Sequence, residues 1–116
     1  MKPGLVAQFT TCYFGYNDAE LTHSDEGHLN NIVKILQENT GKIMITAHMD
    51  SDEAEDPRAE GIGTERIQVA KDYLTSKGID ASRILSEDKL DEMPKDQSGT
   101  ELGQAKNRRL SFTYIE

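Results

Sequence analysis

Two helix-period apolar stripes, each closed by a glycine and followed by an extended segment, constrain this chain more than any other feature. Leu29, Ile32, Val33 and Leu36 fall on one face of a helix. Thr22, Ser24 and Asp25 offer N-caps for it. Asn39-Thr40-Gly41 ends it, with Gly41 read as a left-handed cap. A second helix is expected from about Ala59 to Lys77, with Ile62, Val69, Ala70, Tyr73 and Leu74 on its buried side and Gly78 as its stop.

The segments around these helices read as strands. Residues 5–14 are rich in β-branched and aromatic side chains. In Lys42 to Met49, Ile43, Ile45 and Ala47 point one way and Met44, Thr46 and His48 the other. Both sets are partly apolar, which suits a strand interior to a sheet. Ile79 to Leu85 reads as a short third strand or an extended segment, and in 109–115 the residues Leu110, Phe112 and Tyr114 share one face. Residues 50–60 and 87–99 read as loops, the second holding Pro94 and Gly99, and 102–107 as a helical turn. The order β-α-β-α-β-β predicts an α/β (α+β) two-layer sandwich, a mixed sheet with helices on one face. Crossovers through the helices would make neighbouring strands parallel and leave the last strand antiparallel. No repeat or linker divides the chain, so one domain over 1–116 is expected.

Charge removes several function classes. Asp and Glu number 21 against 13 Lys and Arg, a net charge of −8. Such a chain lacks the basic surface that nucleic acid or an anionic membrane requires. No stretch approaches the roughly 18 apolar residues of a membrane span. The first residues, Met1 to Ala7, have no apolar signal core, so any export signal or anchor is expected outside this chain. The lone Cys12 can form no internal disulfide and reads as a small buried hydrophobe in a strand.

Most candidate chemistry fails on spacing. His23, His28 and His48 match no zinc motif. The run Asp50, Asp52, Glu53, Glu55, Asp56 and Glu60 fails the calcium-loop pattern, because Ala54, Glu55 and Gly61 stand where an oxygen ligand, a glycine and a second acid belong. The run therefore reads as a solvated acidic loop, and no metal or cofactor is expected. There is no nucleophile elbow, phosphate-cradling glycine loop or metalloprotease helix, so no enzyme is expected.

One constellation remains. Asp50 lies at the carboxyl end of the second strand, and Arg66 follows on the next helix. Strand ends and the first turns of the following helix form the usual crevice of such units. A guanidinium takes a carboxylate through two parallel hydrogen bonds, and a carboxylate takes an ammonium, so the pair suits a zwitterion. The spacing describes an ordinary loop-to-helix ion pair equally well. In so acidic a chain, Arg108 and Arg109 read as partners of local carboxylates or as supports beneath the Asp50 loop. His48 reads as a strand residue that orients that loop by a hydrogen bond.

The whole-chain pattern adds to this. Phe14-Gly15-Tyr16-Asn17-Asp18-Ala19-Glu20-Leu21, Ala47-His48-Met49-Asp50, Ile62-Gly63-Thr64-Glu65-Arg66, Tyr73-Leu74 with Gly78-Ile79, and Asn107-Arg108-Arg109 resemble, in order and spacing, the OmpA-like family. The resemblance covers roughly residues 5–115. It implies non-catalytic binding of the diaminopimelate of a peptidoglycan stem peptide, tethering an envelope protein to the cell wall from the periplasm or cell envelope, alongside partner proteins there. It places the ligand on Asp50 (ammonium), Arg66 (carboxylate) and Asn17; the supporting roles of His48, Arg108 and Arg109 are the separate reading of those residues from the sequence itself. Several positions depart from the family pattern: Ala47 and Met49 replace its Gly and Thr, Ala59 its Asn, and Gly63 its Ser. The departures leave an alternative, a diverged domain that has lost peptidoglycan and serves as a structural or protein-interaction module. Residues 50–60 carry six acids and one base, which attracts an ammonium and disfavours a carboxylate. Binding is therefore expected to be weaker than with a neutral loop, and sensitive to salt.

Overall fold

A computed structural model of the protein describes residues 6–90 and 100–116. The first extended segment forms two short strands, β1 (Val6–Gln8) and β2 (Cys12–Tyr13). Helix α1 (His23–Glu38) follows, then strand β3 (Lys42–His48). A short helix α2 (Ser51–Glu55) and a 3-10 turn (Pro57–Ala59) lead into α3 (Ile62–Ser76). Strand β4 (Ile84–Asp88), helix α4 (Glu101–Asn107) and strand β5 (Arg109–Ile115) complete the chain.

The sheet is mixed, in the order β1-β5-β3-β4, with β2 also on β5. β3 and β4 are parallel neighbours joined through α3, as expected, and β5 is antiparallel to β3. The first crossover differs from expectation. β5 inserts between the first strands and β3, so the segments joined by α1 are not neighbours. The first strand also breaks. Val6 pairs with Ile115 but Cys12 with Leu110, a register shift of one residue that a bulge between β1 and β2 absorbs.

Sequence periodicity explains the core. Leu29, Ile32, Val33 and Leu36 of α1 are all buried, as are Ile67, Ala70 and Leu74 of α3. They pack in one cluster with Ile43, Ile45 and Ala47 of β3 and Leu110, Phe112 and Tyr114 of β5. The opposite faces of β3 and β5 carry Met44, Thr46, Ser111 and Thr113, which are only partly buried. Cys12 is a fully buried member of the cluster, and burial pushes its thiol up to about 12, with Asp25 beside it adding to the shift.

Local details correct several expectations. Thr22 is the N-cap of α1, and Asp25 completes a reciprocal capping box with it. Gly41 is not a left-handed cap; a side chain there would run into the Tyr114 ring and the Ile115 carbonyl, so the glycine permits close approach. Gly78 does adopt a positive φ, 94°, just past α3. α3 begins at Ile62 rather than Ala59, and the 50–60 stretch is largely helical rather than a loop. In that stretch Asp50 caps α2 and Asp56 caps the 3-10 turn. The expected turn at 102–107 is a full helix, α4. The expected loop at 87–99 begins only after Asp88, and its Pro94 and Gly99 lie outside the described residues.

Candidate functional site

The carboxyl end of β3 delivers Asp50, and the second turn of α3 delivers Arg66. Both are fully buried. They lie in one site but do not pair with each other. Asp50 Oδ1 accepts the Glu53 backbone N–H at 2.6 Å, and Asp50 Oδ2 accepts from Arg108 Nη1 at 2.9 Å. The expected support from beneath the Asp50 loop is thus supplied by Arg108, which also donates through Nε to the Phe14 carbonyl.

Arg66 is held by a different acid. Glu53 Oε1 accepts from Nη1 at 3.1 Å and Glu53 Oε2 from Nη2 at 2.6 Å, a bidentate pair in which both side chains are fully buried. The same Glu53 Oε2 takes the backbone N–H of Asn17 at 2.6 Å. Arg66 Nε donates to the Asp18 carbonyl and Nη2 also to the Gly15 carbonyl. The Phe14 ring lies 5.1 Å from the guanidinium carbon, within reach of a cation–π contact. Four N–H donors, two from Arg66 and the backbone N–H groups of Asn17 and Asp50, therefore converge on one carboxylate.

Glu53 joins the two halves. Its backbone N–H serves Asp50 while its side chain serves Arg66, and Asp50 and Glu53 form a capping box at the start of α2. Sequence reasoning counted Glu53 only as one charge in the acidic run. The signal was present: Asp50-x-x-Glu53 is the spacing of a capping box. Asn17 takes part through its backbone, at a positive φ of 51°, while its side chain is exposed.

His48 and Arg109 sit opposite each other on β3 and β5. His48 Nδ1 is buried and meets no hydrogen-bond partner, so that nitrogen does not make the expected orienting bond. Burial, with the Arg109 charge adding to it, pushes the His48 imidazole down to about 4.

The acidic run is not one solvated surface. Asp56 accepts from the Tyr16 hydroxyl at 2.7 Å and from the Arg58 guanidinium. The hydrogen bonds from Arg58 hold its carboxyl well below the usual carboxylate range, and the bond to Asp56 pushes the Tyr16 phenol up to about 12. Gln104 of α4 bonds Ser51 and ties α2 to the far end of the chain. Beside Glu53 opens a cleft of about 320 Å³, with Met49, Asp56, Ala59, Glu60 and Leu90 among its lining.

The departures from the family pattern have packing partners here. Met49 and Ala59 are buried together with Ile62 in a small apolar cluster under this cleft. Ala47 is fully buried in the main core. Any side chain larger than hydrogen at Gly63 would meet the Asp88 carboxylate at the end of β4.

The model of the OmpA family matches residues 13–108. The chain belongs to the OmpA family. Solved structures of the same fold include the cell wall anchor of the T6SS from Pseudomonas aeruginosa, 23% identical, at a TM-score of 0.76 over 95% of this chain and 87% of that one. The peptidoglycan-associated lipoprotein from Burkholderia pseudomallei aligns at a TM-score of 0.80 and 18% identity, over 90% of this chain and 88% of that one. The C-terminal domain of Helicobacter pylori MotB aligns at 0.74 and 14% identity, over 95% and 85%. At these identities the likeness shows the fold alone. Among curated proteins, no sequence matches the chain.

Proposed function

We propose that this OmpA-family domain is a non-catalytic module that associates an envelope assembly with the cell wall, by holding the zwitterionic end of a diaminopimelate stem peptide. The observation that carries the reading is the juxtaposition of Asp50 and Arg66 through Glu53: a carboxylate suited to an ammonium lies beside a guanidinium already shaped around a carboxylate. Family membership supports it, as do the cell wall anchor and the peptidoglycan-associated lipoprotein that share the fold. Asn17 contributes a backbone N–H to the carboxylate end, and Arg108 fixes Asp50. No helix of the described residues is long and apolar enough to cross a membrane.

A second reading is favoured by one specific observation. Asp50 is satisfied by Arg108 and Arg66 by Glu53, with neither exposed. A domain that keeps the fold and has no cell-wall ligand would look the same. Sedimentation with purified diaminopimelate-type sacculi separates the two. The proposal expects wild type to pellet with the sacculi and Asp50→Asn, which keeps an N-cap side chain, to remain in solution. Wild type remaining wholly in the supernatant would overturn it in favour of the second reading.

A further inference from the structure

We infer that Glu53 is an internal occupant of the ligand's carboxylate seat, a built-in competitor that sets the specificity and strength of binding at Arg66. The inference rests on the peptidoglycan reading for the identity of the external ligand, but not for the existence of the seat.

The geometry of that seat is the argument. A free carboxylate offers two oxygens and about four lone-pair positions. Glu53 presents both oxygens to Arg66; its second oxygen also takes the Asn17 N–H and its first the Asp50 N–H. Two donors on one planar guanidinium, a third from the Asn17 backbone at positive φ and a fourth from the Asp50 backbone form a receptor for one carboxylate end-on. Two of the three remaining Arg66 donors, on Nε and Nη2, are fixed on the Asp18 and Gly15 carbonyls, which holds the fork aimed at this seat. A ligand carboxylate gains the two-bond grip of Arg66 only by taking the place of Glu53.

The occupant sits on a short tether. α2 is five residues long, too short to be stable on its own, and its N-terminus hangs on the Asp50 cap and the Gln104–Ser51 contact. Beside Glu53 lies the cleft bounded by Asp56, Glu60 and Met49, open space into which the side chain can withdraw. Withdrawal leaves a carboxylate among other carboxylates, which opposes opening. The closed form therefore predominates, and a ligand gains Arg66 only by paying the difference. Removing the Glu53 carboxylate removes the competitor.

Two measurements on the full chain test this independently. The first needs no cell-wall ligand. In Glu53→Ala the seat is empty and Arg66 is unpaired, so acetate, compared with chloride at equal ionic strength, should raise the melting temperature by a few degrees. Acetate should leave wild type unchanged, and also Glu53→Ala/Arg66→Met, which has no guanidinium. Glu53→Gln, which keeps the shape of the side chain, serves as the folded reference if the alanine variant is too unstable to melt cooperatively; it should bind a ligand carboxylate more tightly than wild type as well. The second is calorimetric titration with a soluble tripeptide ending in diaminopimelate. The variant lacking the Glu53 carboxylate should bind at least about tenfold more tightly than wild type, given the cost of breaking a buried ion pair.

The outcomes separate the two claims. Acetate stabilisation without tripeptide binding by any form keeps the seat and overturns the peptidoglycan reading. Tripeptide binding by the Glu53 variants alone keeps the seat and overturns that reading for the natural chain. Wild type binding the tripeptide as tightly as the variants, or no acetate effect on Glu53→Ala, overturns the inference.

Discussion

At the scale of single residues, the site is a chain of buried charges in which each acid has an assigned base. Glu53 and Arg66 form its centre. Truncating one member of such a pair strands the other charge away from water and costs about 3–5 kcal/mol. Arg66→Ala should lower stability by that order in urea denaturation, while Glu53→Leu/Arg66→Met should cost far less than the two single changes together. Equal additivity would mean that the pair is not coupled. His48 gives a pH signature. Its imidazole stays neutral in the fold down to about 4 and is ordinary in the unfolded chain, so the unfolded state binds the extra proton between about pH 6.5 and 4. Stability is then highest above that window and falls as pH drops through it, by at most about 3 kcal/mol. Denaturant midpoints measured across the window should fall for wild type and stay flatter for His48→Asn. Asp56, whose carboxyl is depressed, adds a loss of the same sign at still lower pH. Cys12, pushed up to about 12 within the core, should react with a thiol reagent only at the rate of unfolding.

At the scale of elements, legibility followed periodicity. The stripes of α1 and α3 and the alternation of β3 and β5 appear in the sequence because a buried face recurs every few residues, and those are the faces that form the core. The α2 region reads as a loop in the sequence because its signal is capping rather than periodicity: five residues are too few to show a stripe, and six acids imitate a solvated loop. The strand order was not legible, since local pattern says nothing of which strand inserts between two others. For the site, Asp50 and Arg66 were legible from a strand end followed by a helix and from the family pattern, whereas for Glu53 the sequence shows only the capping-box spacing to Asp50 and not the pairing with Arg66, thirteen residues away on another helix. Gly41 shows the same limit. Its reason is Tyr114 and Ile115 across the fold, and the sequence offers only a helix end. Gly41→Ala should therefore cost about 1–3 kcal/mol, the usual result of forcing volume into a packed place, with the loss read from the thermal midpoint.

At the scale of the molecule, the net charge of −8 is distributed with consequences. The acids of 50–60 divide into those committed to Arg108, Arg66 and Arg58 and those left at the surface beside the cleft. Only the surface set faces solvent, where it would attract the ammonium end and repel the carboxylate end of the zwitterion proposed as ligand. Salt screens such exposed charges, with a Debye length of about 10 Å at 0.1 M and about 3 Å at 1 M, and screens the buried pair much less. Raising salt over that range should change tripeptide affinity while leaving the thermal effect of Glu53→Ala largely intact.

The central claim is that one guanidinium serves two carboxylates in turn. A crystal structure of the chain grown with the diaminopimelate tripeptide tests it directly. The ligand carboxylate is expected on Arg66 and the Asn17 N–H, the ligand ammonium at Asp50, and Glu53 turned away into the cleft. A structure in which Arg66 still holds Glu53, with the tripeptide bound elsewhere or absent, would contradict it.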